Sequence, residues 1–316
     1  MIRESVMVNR REFLQKALFS AGLFSVNESF AEGMVERKEA MKITILHTND
    51  VHSHIEPFPE NHRKYPGKGG VQNRYNLIKK IREENKNTLL FDCGDIFQGT
   101  PYFNKYGGEL ELKLMSKMGY DASTMGNHDF DNGMDGFLKV NKHAKFPFIC
   151  SNYDFKDTIL KNKTLPFKIF NKGGIKVGVF GLGIELDGLV DKKLYGNTRY
   201  LDPIKTANKY AQLLRKKHRC NLVICLSHLG FDYGEKKLSD SVLATKTSGV
   251  DLILGGHTHT FLEKAKEFTN LEGGKVLVNQ VGWAGVNLGK VDYYFTKGHN
   301  KMLNFSQEKA SYLEIK

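Results

Sequence analysis

Seven side chains able to bind a cation stand beside glycine or at the ends of apolar runs. Asp50 and His52 follow the first such run in "HTNDVHSH", Asp95 follows the second in "FDCGDIFQGTP", and Asn127 lies in "GNHDFDNG". His228 ends "NLVICLSH", while His257 and His259 follow "VDLILGG" in "GGHTHT". Residues two apart share one face of a regular strand, but the glycines before this histidine pair favour a strand end or turn. Taken singly each residue says little, because an Asp before Gly is usually a turn residue. Brought into one pocket, the set would suffer repulsion and desolvation worth several kcal/mol unless cations bound it. A carboxylate, imidazole and amide set without thiolate suits zinc, manganese, iron or cobalt rather than calcium. Two such cations ~3.5–4 Å apart, sharing a carboxylate, form a clamp for in-line attack on phosphorus. The expected chemistry is phosphoester hydrolysis.

These residues need a scaffold that delivers them to one place. "KITILHT", "NTLLFDC", "FPFIC", "IKVGVFGLG", "NLVICLSH" and "VDLILGG" read as largely buried strands. Between them lie amphipathic stretches: "VQNRYNLIKKIREE", "GELELKLMSKMG" and "DPIKTANKYAQLLRKK". The last has Asp202 as N-cap, Pro203 in the first turn, and Ile204, Ala207, Ala211 and Leu214 on one stripe. The alternation implies an α/β layered fold in which strand ends on one edge converge on a crevice. Towards the end, "KVLVNQVGWAGVNLGKVDYYF" has strand composition with no helix inside it, so the last part of the sheet is expected to be antiparallel. No repeat or low-complexity segment interrupts the chain, and residues 41–316 read as one catalytic domain.

The first 31 residues differ from the rest. Arg10 and Arg11 precede the apolar stretch "ALFSAGLFSV", which is too short to span a bilayer, and Ser29–Ala31 supply small residues for cleavage. Asn9, Arg10, Arg11, Phe13 and Leu14 fit a twin-arginine signal, so residues 1–31 are expected to be an export signal and 32–40 a linker. The mature protein is then expected in the periplasm or otherwise exported, without stable membrane insertion. The net charge of +12 comes from lysine spread along the chain. No basic run alternates with aromatics, which argues against a nucleic-acid groove and fits a basic surface that attracts anionic substrates. Cys93, Cys150, Cys220 and Cys225 have neither zinc-knuckle nor redox spacing, and they read as buried single thiols.

The motifs together resemble the calcineurin-like metallophosphoesterases, and among them the catalytic domain of the 5′-nucleotidase family. The resemblance rests on Asp50-x-His52, Gly94-Asp95, Gly126-Asn127-His128-Asp129, His228 and Gly256-His257-x-His259. The nucleotidase character lies in "ILHTNDVHS", "GDIFQGTPYF", "GNHDFDNG" and "GGHTHTFL", and the likeness runs from about residue 42 to 296. It implies a four-layer α-β-β-α sandwich of two mixed sheets flanked by helices, with a dinuclear metal site at the C-terminal ends of strands. One divalent ion would take Asp50, His52 and His259, the other Asn127, His228 and His257, with Asp95 bridging and a hydroxide between the ions as nucleophile. By the same resemblance Asn127 and His128 contact the substrate, His128 stabilises charge at the scissile phosphate, and Asp131 orients His128. Asp92, His47 and Arg74 are candidates for an outer, supporting role, whereas His54, His62, His143, His218 and His299 read as surface residues. Full-length exported 5′-nucleotidases carry a second, nucleotide-binding domain after the metal domain. This sequence ends at Lys316, so the expectation is that such a domain is supplied by a separately encoded partner or dispensed with. The implied substrate is a nucleotide or another phosphoester. The alternatives are a two-metal hydrolase of cyclic nucleotides, nucleotide sugars or sulfur conjugates, and a non-catalytic binding subunit with the same fold.

Overall fold

The computed structural model describes residues 41–234, 237–297 and 303–315. Contacts group Lys42–Tyr293 with Ser306–Lys316 as one compact unit, which carries the cores and the site described below, while the end of β12 and the start of β13 fall outside it. The export signal and linker read over residues 1–40 lie outside the described residues.

Two sheets are built largely from runs that are apolar on both faces, as parallel strands covered on both sides require. In the first, β1 (Met41–Thr48) pairs in parallel with β2 (Thr88–Asp92), and β2 with β3 (Ala122–Ser123). On the other side of β1 lie β12 (Asn287–Lys297) and then β13 (Leu303–Glu314). A short antiparallel pair, β4 (Tyr153–Asp154) with β7 (Arg199–Tyr200), stands apart from both large sheets. The second sheet centres on β6 (Ile175–Leu182), β8 (Leu222–Ser227), β9 (Leu252–Leu254) and β11 (Lys275–Asn279), which are parallel. Its edges are antiparallel: β5 (Phe167–Lys172) against β6, and β10 (Lys266–Thr269) against β11.

The alternation of side chains along each strand assigns the layers. Leu46 and Leu90 join a core with Ile78 and Ile81 of α1 (Val71–Glu84), Leu112 and Met115 of α3 (Glu109–Met118), and Phe137 of α4 (Gly133–Asn141). The short α2 (Pro101–Tyr106) adds Phe103 to it. Val223, Cys225, Ile253 and Val278 meet Ala207 and Ala211 of α6 (Pro203–Gln212) and Leu243 of α7 (Asp240–Lys246); a one-turn helix, α5 (Lys192–Tyr195), precedes β7. The opposite faces look at each other across the middle of the protein. There Phe91 meets Phe170 with ring centroids 5.6 Å apart, and His47 of β1 meets Asn279 of β11 with Nε2 to Nδ2 at 3.0 Å. The architecture is the expected α-β-β-α sandwich of two mixed sheets.

The three helices read from the sequence form. In α6 the Asp202 carboxylate accepts from the backbone N–H of Lys205, Pro203 occupies the first turn, and a wider turn over Leu213–Lys217 keeps Leu214 buried. Two strand readings need correction. "FPFIC" makes only isolated bridges, Ser123 to Phe148 and Ile149 to Leu165, because it crosses between strands rather than lying along one. The C-terminal stretch is antiparallel only in part: β11 runs antiparallel to β10 but parallel to β9, and the chain then passes to the other sheet as β12. All four cysteines are buried and free, as read. Among the described residues no helix is long and apolar enough to cross a membrane.

Candidate metal centre

The loops leaving β1, β2, β3 and β9 are joined through their backbone N–H groups. Asp50 N–H donates to Gly94 O at 3.0 Å and His52 N–H to Asp95 O at 3.0 Å. His257 N–H reaches both Asp50 carboxylate oxygens at 2.9 and 3.0 Å, and His128 N–H reaches Asp95 Oδ1 at 2.8 Å. Asp50, His52, Asp95, His257 and His259 all hold φ between 48° and 74°. That left-handed region costs a residue bearing a Cβ about 1–2 kcal/mol, and such strain collects where surrounding structure fixes a side chain for use. Gly126 meets the opposite demand: a Cβ there would stand 2.2 Å from Asp95 Oδ1 and 2.6 Å from His228 Nε2.

Two groups of potential ligands result, Asp50 with His52 and His259, and Asp95 with His228 and His257. His259 Nε2 is 3.4 Å from Asp50 Oδ1 and 3.1 Å from His52 Nε2. In the other group His228 Nε2 is 3.1 Å from Asp95 Oδ2, and His257 Nδ1 is 2.9 Å from Asn127 Oδ1. The same Asp95 oxygen lies 3.8 Å from His52 Nε2, so this carboxylate stands between the groups. All seven sequence-predicted ligands therefore gather at one place.

Tautomers follow from the partners of the outer nitrogens. His52 Nδ1 faces the carbonyls of Phe97 and Gln98 at 3.2 and 3.1 Å, and His228 Nδ1 donates to Cys93 O at 2.7 Å. An imidazole that donates at Nδ1 to a carbonyl turns a lone pair inward at Nε2, the arrangement typical of metal-binding histidines. His228 Nε2 is fully buried and faces the Asp95 and Asp50 carboxylates at 3.1 and 3.9 Å. Burial alone would lower the pKa of His228, but the Asp95 carboxylate, with Asp50 beyond it, pushes it up to about 10. Burial likewise works to raise Asp95, and the His228 imidazole beside it holds it well below the usual carboxylate range. Burial lowers His257 to about 4, which leaves a neutral imidazole able to ligate. Lone pairs and carboxylates converging this closely call for positive charge between them, and the donor set fits two divalent cations.

Residues 43–261 match the calcineurin-like phosphoesterase family. The chain belongs to that family. It is 38% identical over 231 residues to the snake venom 5′-nucleotidase of Naja atra, covering 71% of this chain and 42% of that protein. It is 30% identical over 324 residues to the 5′-nucleotidase of Vibrio cholerae, covering 94% of this chain and 57% of that one. Among solved structures, the 5′-nucleotidase precursor of Thermus thermophilus superimposes with a TM-score of 0.75 at 32% identity, over 86% of this chain and 54% of the other. The chain thus spans about half the length of these relatives.

Around the phosphoesterase ligands stands a supporting layer that only partly follows the sequence reading. His128 is at the mouth, its side chain 37% exposed, with Nδ1 2.9 Å from Asp131 Oδ2. That hydrogen bond raises the imidazole pKa. Asp92 binds Thr48 Oγ1 at 2.7 Å, Ser123 Oγ at 3.0 Å and Gly94 N at 3.0 Å, tying the ends of β1, β2 and β3 together. His47 lies between the sheets, bonded to Asn279, and Arg74 is buried beside Gly285. His54, His62, His143 and His218 are partly exposed, and His299 lies outside the described residues. Two positioning residues went unread. Asp129 accepts from the N–H groups of Asp95, Ile96 and Gly126 at 3.0, 3.0 and 2.8 Å, and so shapes the turn that carries Asp95. Asn49 donates to Asp50 Oδ2 at 2.6 Å and accepts from Val281 N at 3.0 Å. The available signal was a polar residue next to a ligand for Asn49 and two residues from one for Asp129.

Proposed function

We propose that this chain hydrolyses nucleotide-type phosphate monoesters with two divalent cations. Asp50, His52 and His259 would hold one ion and Asn127, His228 and His257 the other, with Asp95 placed to serve both. The observation carrying this reading is the buried Asp95 carboxylate, one oxygen of which lies 3.1 Å from His228 Nε2 and 3.8 Å from His52 Nε2, between the two groups. The family membership and the likeness to 5′-nucleotidases over most of this chain support it. When bound, the cations supply Lewis acidity and an activated water for attack at phosphorus.

The chain's own residues do the rest. Backbone carbonyls that accept from Nδ1 fix the orientation of His52 and His228, so the rings need not turn when the site loads. His128, turned by Asp131 and open to solvent, donates to the non-bridging or leaving oxygen of the phosphoryl group as charge builds there. Asn127, beside it, orients the same phosphoryl group with its amide. We further propose that Arg10 and Arg11 direct the chain to twin-arginine export, so that it acts on nucleotides outside the cytoplasm.

The test is phosphate release from AMP by protein loaded with Mn²⁺ or Zn²⁺, with metal analysis on the same sample. About two ions per chain and activity abolished by chelation are expected. Uptake of two ions without hydrolysis of any phosphoester would leave a binding protein and refute the proposal.

A further inference from the structure

Two charged side chains are buried behind the ligand loops without a hydrogen-bond partner. Arg74 of α1 is 2% exposed and Glu111 of α3 is 3% exposed, so neither can rely on bulk water. Arg74 Nε and Nη1 and both carboxyl oxygens of Glu111 make no hydrogen bond among the described residues. The two residues line one small cavity, whose wall includes Val51, Ile96, Met115 and Tyr120. The Tyr120 hydroxyl bonds elsewhere, to Thr48 Oγ1 at 2.8 Å, and the other side chains of the wall are apolar.

The wall of this cavity belongs to the ligand loops themselves. Val51 stands between Asp50 and His52, and Ile96 follows Asp95. Arg74 also abuts the turn that holds Asp50 from its other side: Ala284 N–H donates to Asp50 O at 2.8 Å, and a Cβ on the next residue, Gly285, would run into Arg74 Nη1. A guanidinium keeps its charge in a protein, and a charge enclosed by apolar walls is costly unless an opposite charge and hydrogen bonds meet it. Glu111 is the acidic group in that wall. The free volume of the cavity, about 10 Å³, is close to that of one water molecule and excludes any organic ligand. Water can accept from the guanidinium and donate to the carboxylate at the same time, which neither a metal cation nor an anion can do.

We propose that Arg74 and Glu111 form an ion pair bridged by a water in this cavity, and that the pair positions the loops carrying Asp50, His52 and Asp95 for the cations. The positioning half rests on the two-cation reading above; the water bridge stands without it. Removing either charge leaves the other uncompensated directly behind Val51 and Ile96, and the loops must part to hydrate it. Removing both leaves an apolar layer with nothing to hydrate.

Diffraction from wild-type crystals at a resolution that shows ordered water should place one molecule within hydrogen-bonding distance of both Arg74 and Glu111. A direct contact between the two side chains, or no ordered water in the cavity, would overturn the bridge. Titration of chelator-treated protein with Mn²⁺ tests the positioning role. Arg74→Met and Glu111→Met should each weaken binding by about ten-fold, the lower end of the range for groups that support metal ligands, and the double variant should recover most of that loss. Charge acting at a distance would look different, because losing the guanidinium would tighten Mn²⁺ binding while losing the carboxylate would weaken it. Such opposite shifts, or unchanged Mn²⁺ affinity in both single variants alongside lowered urea midpoints, would overturn the positioning role. Failure of the wild type to take up Mn²⁺ would sink the metal-centre reading instead. Urea midpoints that fall in each single variant and return in the double would still support the paired charges, and midpoints that fall further in the double would count against them.

Discussion

His47 couples the stability of the two-sheet core to pH by an amount that can be worked out. It sits on β1 three residues before Asp50, wholly buried, with Nε2 accepting from the Asn279 amide of the opposing sheet. Its Nδ1 has no hydrogen-bond partner, and burial lowers its pKa from 6.5 to about 3. A histidine whose folded pKa is depressed contributes stability above the unfolded pKa and loses it as pH falls towards the folded one. The loss therefore opens below about pH 6.5 and is complete near pH 3, where it reaches about 5 kcal/mol. At pH 5 the same two values give about 2 kcal/mol relative to pH 7. His47→Gln keeps a polar side chain opposite Asn279 and cannot titrate. Urea unfolding of chelator-treated wild type and variant at pH 7 and pH 5 isolates this contribution, because the other acid-sensitive groups cancel in the difference. The variant should lose about 2 kcal/mol less than wild type over that interval. Equal losses would show that His47 is solvated or already charged in the fold, and the argument from burial would fail.

Three substitutions separate the functional assignments. His128→Ala should lower kcat by about 10²–10³ with metal content near wild type, the range for a lost acid or charge-stabilising group; loss of metal in this variant would contradict its placement at the mouth. Asp95→Ala removes the carboxylate standing between both groups, so metal analysis should show both ions lost rather than one. Gly126→Ala places a methyl 2.2 Å from Asp95 Oδ1 and should abolish metal uptake while circular dichroism stays near wild type, since the clash is confined to the ligands. Normal loading of that variant would mean the loops are looser than described.

What could be read from the sequence was what is encoded locally. The 3.6-residue stripe of α6 and its Asp202 cap needed no knowledge of the partner surface, and α1 was read to its first and last residue. The ligands were legible because each stands at the end of an apolar run, mostly with glycine close by. Sheet membership was not, because β11 and β12 share the same composition and differ only in which distant strand they meet. The same applies to "FPFIC", whose apolar residues are buried without a ladder. The roles of Asp129 and Asn49 depend on backbone N–H groups presented by other segments, up to 232 residues away, so residue type alone could not assign them.

The glycines beside the ligands suggest that the turns are eased by flexible backbone, yet much of the left-handed geometry falls on the ligands themselves. Asp50, His52, Asp95, His257 and His259 carry positive φ while Gly126 and Gly256 are spared it. The two residue types solve different problems. A glycine at 126 or 256 lets one loop approach another until no Cβ would fit beside the His228 ring, a question of space. A ligand in the left-handed region turns its side chain inward from a chain that is already reversing, a question of direction. Substituting glycine at Asp50 or His257 would relieve the backbone and remove the donor, so strain and function cannot be separated at those positions. The hydrogen bonds from His257 N–H to Asp50 and from Asp50 N–H to Gly94 hold the strained residues against one another, and the fold bears this cost before any cation arrives. A site prearranged in this way would load by exchanging protons for metal at fixed nitrogens and oxygens rather than by closing around it.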